Sequence, residues 1–363
     1  MGSLAGVLAA WSFAVGWAQQ AAAAHAPAIL PTGFVTGSVI CGDTHRPARY
    51  AQVWLKPVSS NSNGGGVETN TGLDGTFTVL HVAPGDYYVQ AYVPGYLSEY
   101  AIEQSELDAG VEPKDVLAQI PEVHVGSGSS STNLTLVRGG AISGRVQWED
   151  GSPATDITVN VLPVKQPKGV SGMSNSWIGS PSTAQTDDRG VFRFIGLAEG
   201  EYLVQAWAGQ GAQKGGGSSL GISAYAPGVF RKSEAAPVTV HLGEERDEIG
   251  MVLNLNALHS VSGHVNSSTV GQTITSGSVA LIDSTDNDLQ MLAQIDANGD
   301  FSIPFVPSGN YRLLVSSARA EVSSAGGHGG AQKILFGQQS QALAVADDDV
   351  TGLSFTLKPV SAQ

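Results

Sequence analysis

The chain has little cysteine and little charge. Its 363 residues include one cysteine, Cys41, so neither an intrachain disulfide nor a cysteine-based zinc cluster can form. We expect Cys41, which follows an opening strand, to be a small buried apolar side chain. Charged residues make up 14% of the chain, and its formal net charge is -14. Without a basic stripe to neutralise phosphates, nucleic acid is not expected as a partner.

Long helical periodicity and long apolar runs are also missing beyond the first residues. The chain instead has 46 glycines and 17 prolines, which is typical of all-β domains joined by turns. No segment after the leader could span a bilayer, so we expect no membrane insertion once the leader is removed.

The one apolar leader runs from Leu4 to Trp17, and the small-residue tract Ala18 to Ala24 follows it. This pattern is typical of a secretory signal peptide over residues 1–24, although no lysine or arginine precedes Arg46. A single spanning helix is the alternative, but the run is shorter than the roughly 20 residues that a bilayer needs. We expect an exported protein that is periplasmic, located at the cell surface or secreted.

One pattern of two glycines and two aromatic residues occurs three times, with spacings of two, eight and two residues. The positions are Gly75, Phe77, Gly85 and Tyr87; Gly190, Phe192, Gly200 and Tyr202; and Gly299, Phe301, Gly309 and Tyr311. The copies are 115 and 109 residues apart, counted from Phe77 to Phe192 and from Phe192 to Phe301. Such a period is far longer than that of a solenoid and matches the size of a domain.

Each copy opens and closes on a short strand pattern. The opening strands contain Gly37–Val39, Gly144–Val146 and Gly263–Val265, and the closing strands contain Leu134–Leu136, Leu253–Leu255 and Phe355–Leu357. Each unit therefore runs directly into the next. We predict three tandem domains over residues 33–137, 138–256 and 257–363.

Period-two strands separated by glycine turns in the middle unit predict an antiparallel β-sandwich. Phe192 is expected to fill its core. We expect the repeat glycines to adopt positive φ, which other residues reach only at a cost of roughly 1 kcal/mol. Tyr202 is expected to pack its ring inward and to hydrogen-bond its hydroxyl back to the chain, as a tyrosine corner does.

Three segments of the middle unit resemble the carboxypeptidase regulatory-like domain: Ser143–Val146, Asp188–Phe192 and Gly200–Val204. The resemblance extends over residues 33–357. It implies three Greek-key sandwiches of the transthyretin-like kind, a fold often grouped with carbohydrate-binding-like folds. The segment Tyr225–Gly228 resembles the tail of tandem copies in exported bacterial proteins, although the first and third units lack this Tyr-x-Pro-Gly sequence.

Catalytic and metal-binding patterns are weak. His241 and Glu244 have the spacing of two zinc ligands, but a third ligand and a general base would still be needed. They follow a predicted strand, with no α/β catalytic domain nearby in the sequence. We therefore predict a protein without enzymatic activity, metal or cofactor.

Aromatic residues are the candidate ligand-binding residues, because the apolar face of a sugar ring stacks on them. Trp177 lies in the long polar loop 165–185, where it either contacts a sugar or folds back over its own domain. Trp207 lies within a strand whose sequence does not settle whether it faces inward. Tyr225 begins the Tyr-x-Pro-Gly turn and has either a binding or a structural role.

Together these patterns predict a non-enzymatic exported binding module whose partner is a carbohydrate or a cell-envelope protein. The alternative is a structural stalk, or an assembly or adhesion scaffold, without a small ligand. In that case sheet edges would pair with other chains.

Overall fold

The computed structural model of the chain describes residues 32–58, 66–97, 120–164, 183–209, 221–322 and 332–360. Strands dominate these ranges, and their two short 3-10 turns span Lys232–Glu234 and Leu255–Ala257. The strands form three successive pairs of sheets, one pair for each copy of the sequence repeat. The predicted all-β class is confirmed.

The described residues of the first unit form eight strands. They are β1 (Gly33–Cys41), β2 (Arg46–Pro47), β3 (Gln52–Pro57), β4 (Val67–Asn70), β5 (Thr76–Val82), β6 (Gly85–Tyr92), β7 (Glu122–Val125) and β8 (Ser129–Leu136). Strand β1 pairs antiparallel with β5 and β2, and parallel with β8. The second sheet has the order β4-β3-β6-β7.

The second unit repeats this arrangement. Its strands are β9 (Gly140–Trp148), β10 (Thr158–Pro163), β11 (Thr183–Gln185), β12 (Val191–Leu197), β13 (Gly200–Gly209), β14 (Gly221–Tyr225), β15 (Val238–Val240) and β16 (Glu245–Leu253). One sheet is β12-β9-β16, with β9 and β16 parallel. The other is β11-β10-β13, and both β14 and β15 pair with β13.

The third unit follows the same plan. Its strands are β17 (Leu258–Ser267), β18 (Ser276–Asp283), β19 (Gln290–Gln294), β20 (Asp300–Pro307), β21 (Gly309–Val322), β22 (Gln332–Leu335), β23 (Gln339–Val345) and β24 (Val350–Leu357). The first sheet is β20-β17-β24, with β17 and β24 parallel. The second is β19-β18-β21, and both β22 and β23 pair with β21.

Each pair of sheets encloses its own hydrophobic core. Alternate strand residues point inward, as in β5, where Phe77 and Val79 are buried while Thr76 and Thr78 are exposed. The repeat phenylalanines Phe77, Phe192 and Phe301 are all buried. Cys41 is buried in the first core, as its position in the sequence predicts.

The opening glycine of each unit is required by close packing. A Cβ atom at Gly144 would lie 2.1 Å from the carbonyl oxygen of Ile249 and 2.7 Å from the ring of Phe192. Gly37 and Gly263 face the rings of Phe77 and Phe301 in the same way. Glycine at this position therefore lets the first strand approach both its parallel partner and the aromatic core residue.

The turn glycines agree only in part with the expectation of positive φ. Gly75, Gly190 and Gly299 have φ values of 76°, 73° and 93°. Of the second repeat glycines, Gly85 has positive φ but Gly200 and Gly309 do not, so the expectation is wrong for these two. A different constraint acts at Gly309, where the side chain of Arg231 from the second unit occupies the space that a Cβ would need.

The three repeat tyrosines all form the hydrogen bond back to the chain that the sequence predicts for Tyr202. Its ring packs against the second core, and its hydroxyl donates to the carbonyl of Ala198 at 2.8 Å. The hydroxyls of Tyr87 and Tyr311 also donate to the carbonyl four residues earlier, at 2.9 and 2.6 Å. Each tyrosine thereby ties the start of its strand to the preceding turn.

Candidate functional site: the joint between the second and third units

The joint begins at the Tyr-x-Pro-Gly turn after β14. The amide of Tyr225 donates to the carbonyl of Val229, and the amide of Val252 in β16 donates to the carbonyl of Pro227. A Cβ at Gly228 would lie 2.3 Å from the carbonyl oxygen of Val252, so only glycine allows the turn to lie against β16. The turn therefore sets the course of the following residues, which reach the third unit.

Arg231 is the main contact between the two units. Its Nε and Nη2 atoms donate to Asp283 Oδ2 at 2.9 and 2.7 Å, and Nη2 also donates to the carbonyl of Ser308 at 2.9 Å. The side chain of Arg231 is 15% exposed and that of Asp283 is 1% exposed. An ion pair this deeply buried is stable only with good geometry and further hydrogen bonds.

Asp283 has those further bonds from its own loop. Its Oδ1 atom accepts from the amide of Thr285 at 2.8 Å, from the Thr285 hydroxyl at 2.7 Å and from the amide of Asp286 at 3.0 Å. Burial of Asp283 opposes ionisation, but the hydrogen bonds from Arg231 and from this loop outweigh it and lower the pKa of the carboxyl to about 2. The carboxylate is therefore charged at neutral pH.

Gly309 leaves room for the ion pair. A Cβ atom at this position would lie 2.1 Å from Nη2 of Arg231 and 3.4 Å from Oδ2 of Asp283. The equivalent residue in the second unit, Gly200, would meet only the ring of Tyr202, at 3.8 Å. The repeat glycine of the third unit thus leaves room for a contact that the second unit does not have at Gly200.

Lys232 makes two more contacts across the joint. Its backbone amide donates to Asp286 Oδ2 at 2.7 Å, and its ammonium group lies 3.4 Å from Asp288 Oδ2. The ion pair with Asp288 is exposed and stabilises the joint little. The amide contact fixes the backbone next to Arg231 against the same loop of the third unit.

Two of the three candidate ligand-binding residues lie at this joint, and the third, Trp177, lies outside the described residues. Trp207 is on the outer face of β13, because its neighbours Ala206 and Ala208 point into the core. Tyr225, by contrast, is buried, and its hydroxyl accepts from Gln205 Nε2 at 3.2 Å. Burial raises the pKa of Tyr225, as do the charges of Asp286 and Asp288 in the third unit.

A cleft with a volume of about 150 Å³ lies between the two units. Its second-unit wall includes Trp207 and Phe230, and its third-unit wall includes Asp288, Met291 and Phe305. The sequence pointed to Trp207 of the first wall, but not to Phe230 or to the residues of the second wall. Nothing in the sequence shows that the two walls meet.

Contacts at the first joint are of a different kind. Three residues separate β8 from β9, and among them Arg138 places its guanidinium 5.0 Å from the centre of the Tyr96 ring. The Tyr96 hydroxyl donates to Asp43 Oδ1 at 2.8 Å. The amide of Leu97 also donates to the carbonyl of Val137, and the amide of Gly139 donates to the carbonyl of Gly95. The linker is therefore held to the body of the first unit by a cation–π contact and by main-chain bonds.

The described ranges contain no cluster of three or more histidine, cysteine or acidic residues that could hold a metal ion. His241 Nδ1 lies 3.2 Å from Glu199, and the amide of Glu244 donates to the carbonyl of His241 in a turn. No helix among the described residues is long and apolar enough to cross a membrane.

None of the family models and none of the curated proteins matches the sequence. The chain is similar to the Bacillus anthracis TIE protein, with 12% identity over 91% of this chain and a TM-score of 0.22, and it spans 51% of that protein's length. It is similar to a streptococcal ancillary pilin, with 10% identity over 91% of this chain and 99% of the pilin, at a TM-score of 0.29.

A further similarity is to BcpA, the major pilin subunit of Bacillus cereus, with 10% identity over 90% of this chain and 99% of that chain, at a TM-score of 0.24. These neighbours share the all-β class. At such TM-scores the similarities carry no argument about function. The resemblance to the carboxypeptidase regulatory-like domain stays a prediction.

Proposed function

We propose that the protein is a non-enzymatic, exported scaffold of three tandem carboxypeptidase regulatory-like sandwiches that acts at the cell surface. Its task is to hold neighbouring units in a set orientation. The observation that supports this proposal is the buried pair of Arg231 and Asp283, which joins two units that each have their own core.

A buried ion pair is poorly suited to raising stability alone, because desolvation of both charges offsets their attraction. It is well suited to selecting one arrangement, because any other orientation of the units would leave a buried charge unpaired. The Gly309 position adds to this selectivity, since it leaves space for Arg231 in the third unit. A scaffold whose joints fix orientation needs such contacts.

The proposal is tested by the distance between spin labels on the two units. Cysteines would replace Arg189 and Val270, which are exposed in the second and third units, in a Cys41→Ser background. Double electron–electron resonance should give one narrow distance distribution. Gly309→Ala should broaden this distribution, because the added methyl group pushes the Arg231 side chain away from Asp283. Both charged residues are still present in this variant.

Two variants serve as controls. Gly200→Ala makes the same substitution at the same repeat position without a neighbour to displace, and should keep the narrow distribution. The double variant R231A/D283N removes the pair without leaving a buried unpaired charge, and should broaden the distribution as Gly309→Ala does. A broad distribution in the unmodified joint, or a narrow one in R231A/D283N, would contradict the scaffold proposal.

A further inference from the structure

The cleft beside the buried ion pair has the features of a ligand site. One wall comes from β13 and β14 of the second unit, and the other comes from residues 288–292 and 303–307 of the third. Arg231 fixes the two units against each other at one side of it. The two walls are therefore held at a set separation before any ligand arrives, which lowers the entropy cost of binding.

The first wall presents the indole of Trp207. A Cβ at Gly221, on the neighbouring strand, would lie 2.9 Å from the indole Nε1 atom, so the ring rests against the bare backbone of β14. Trp207 is only partly buried, although every other residue from Leu203 to Ala208 except Gln205 is buried. Part of this large aromatic side chain is thus available at the cleft.

The second wall presents Phe305 in an unusual backbone conformation. Its φ is 60° and 42% of the residue is exposed. The position lies four residues after the repeat phenylalanine, at a β-bulge, and the second unit has Gly196 there with φ 74°. A bulky residue is strained in this region of φ, where glycine is not. His81 has φ 59° at the equivalent place in the first unit, so the conformation belongs to the bulge, and at this bulge the third unit exposes an aromatic side chain to the cleft.

Polar groups complete the cleft. Ser223, Asp288 and Gln290 are among the lining residues, and they carry a hydroxyl, a carboxylate and an amide. Each also has a partner within the protein: Ser223 Oγ accepts from Gln205, Gln290 Nε2 donates to the carbonyl of Asn287, and Asp288 pairs with Lys232. Aromatic faces together with a carboxylate and an amide suit a sugar ring, whose C–H face stacks while its hydroxyls form hydrogen bonds. A volume of about 150 Å³ is below that of sites that enclose whole drug-sized molecules, and it fits one ring.

We propose that this cleft binds one pyranose ring of a neutral saccharide chain, with Trp207 as the stacking platform and Phe305 as the facing wall. The proposal goes beyond the scaffold function, which needs no ligand. A scaffold that binds a saccharide at its joint would attach itself to a glycan surface.

The test is electrophoresis of the full chain in native gels cast with hydroxyethylcellulose, xylan, galactomannan, laminarin or dextran. At least one polymer should retard the protein. Trp207→Ala should raise the dissociation constant about tenfold or more, which is the loss of one aromatic stacking contact. Tyr92→Ala changes the same repeat position in the first unit, seven residues after Gly85, and should leave retardation unchanged.

A second pair of variants separates binding from folding. Phe305→Gly should weaken retardation to the same degree while raising the melting temperature of the third unit, because glycine relieves the positive φ. His81→Gly makes the equivalent change in the first unit, where φ is 59°, and should raise stability without affecting retardation.

Three results would overturn the proposal. The first is that no polymer retards the unmodified chain. The second is that Trp207→Ala and Tyr92→Ala reduce retardation equally. The third is that the chain binds a proline-rich peptide, that Trp207→Ala loses this binding, and that no polysaccharide retards the chain. None of these results would depend on the distance between the spin-labelled units, so the scaffold and saccharide proposals can fail separately.

Discussion

The repeat tyrosines show how much a single residue position can predict. Tyr202, placed two residues after its glycine, was expected to pack inward and to bond back to the chain, and it does both. The same bond occurs at Tyr87 and Tyr311, since the local chain geometry is repeated. A contact between residues four apart is local, which is why the sequence could predict it.

Tyr202→Phe should therefore destabilise the second unit by about 1 kcal/mol, the usual net value of one hydrogen bond. Urea unfolding would measure the change. Tyr50→Phe is the control, because Tyr50 is 70% exposed, and it should leave stability unchanged. Equal stability of Tyr202→Phe and the unmodified chain would show that the bond to Ala198 does not contribute.

Gly309 shows where prediction at single residues stops. Its place in the repeat suggested a turn with positive φ, yet its φ is not positive and Arg231 occupies the space beside it. That contact joins residues 78 positions apart in different units, and no local pattern could indicate it. The same holds for Asp283, which the sequence did not single out.

At the scale of strands, the alternation of apolar and polar residues in the sequence predicted a sandwich, but it did not predict which strands pair. The first and last strands of each unit run parallel, as β9 and β16 do. This pairing joins segments about a hundred residues apart, so it depends on the path of the whole unit. The opening glycine was a signal for it, since it marks a close approach between backbones.

Gly144→Ala should destabilise the second unit severely, because the new Cβ would lie 2.1 Å from the carbonyl oxygen of Ile249 and force β9 and β16 apart. Gly250→Ala, in the facing strand β16, has no atom within 4 Å of its Cβ and should change stability by no more than about 0.5 kcal/mol. Thermal unfolding would compare the two. Equal stability of both variants would contradict the close packing at Gly144.

At the scale of the whole molecule, the sequence predicted three units with boundaries at 137 and 256, and each unit of the structure has two sheets and one core. It did not predict how the units meet. The pair of Arg231 and Asp283 joins residues 52 positions apart across a domain boundary. Such contacts depend on tertiary structure that exists only after each unit has folded.

The joint should loosen in acid. Folding lowers the pKa of Asp283 from 3.8 to about 2, so its contribution to stability is complete above pH 3.8 and is lost as pH falls through about 2. The distribution of spin-label distances across the joint should therefore be narrow at pH 5 and broad near pH 2. A distribution that broadens already at pH 5, or that stays narrow below pH 2, would contradict the role given to Asp283.

We expect the three sandwiches of the chain to fold separately. Hydrogen exchange of Phe192→Ala, read by mass spectrometry for each unit, would show whether they do. Phe192 is 2% exposed and packs against Phe194 in the second core, so its loss should cost that unit about 3 to 5 kcal/mol. Domain stabilities are roughly 5 to 15 kcal/mol.

Protection should fall in β9, β12 and β13 of the second unit, while β1 and β17 in the first and third units keep their protection. Loss of protection in all three units together would show instead that the chain folds as one cooperative body.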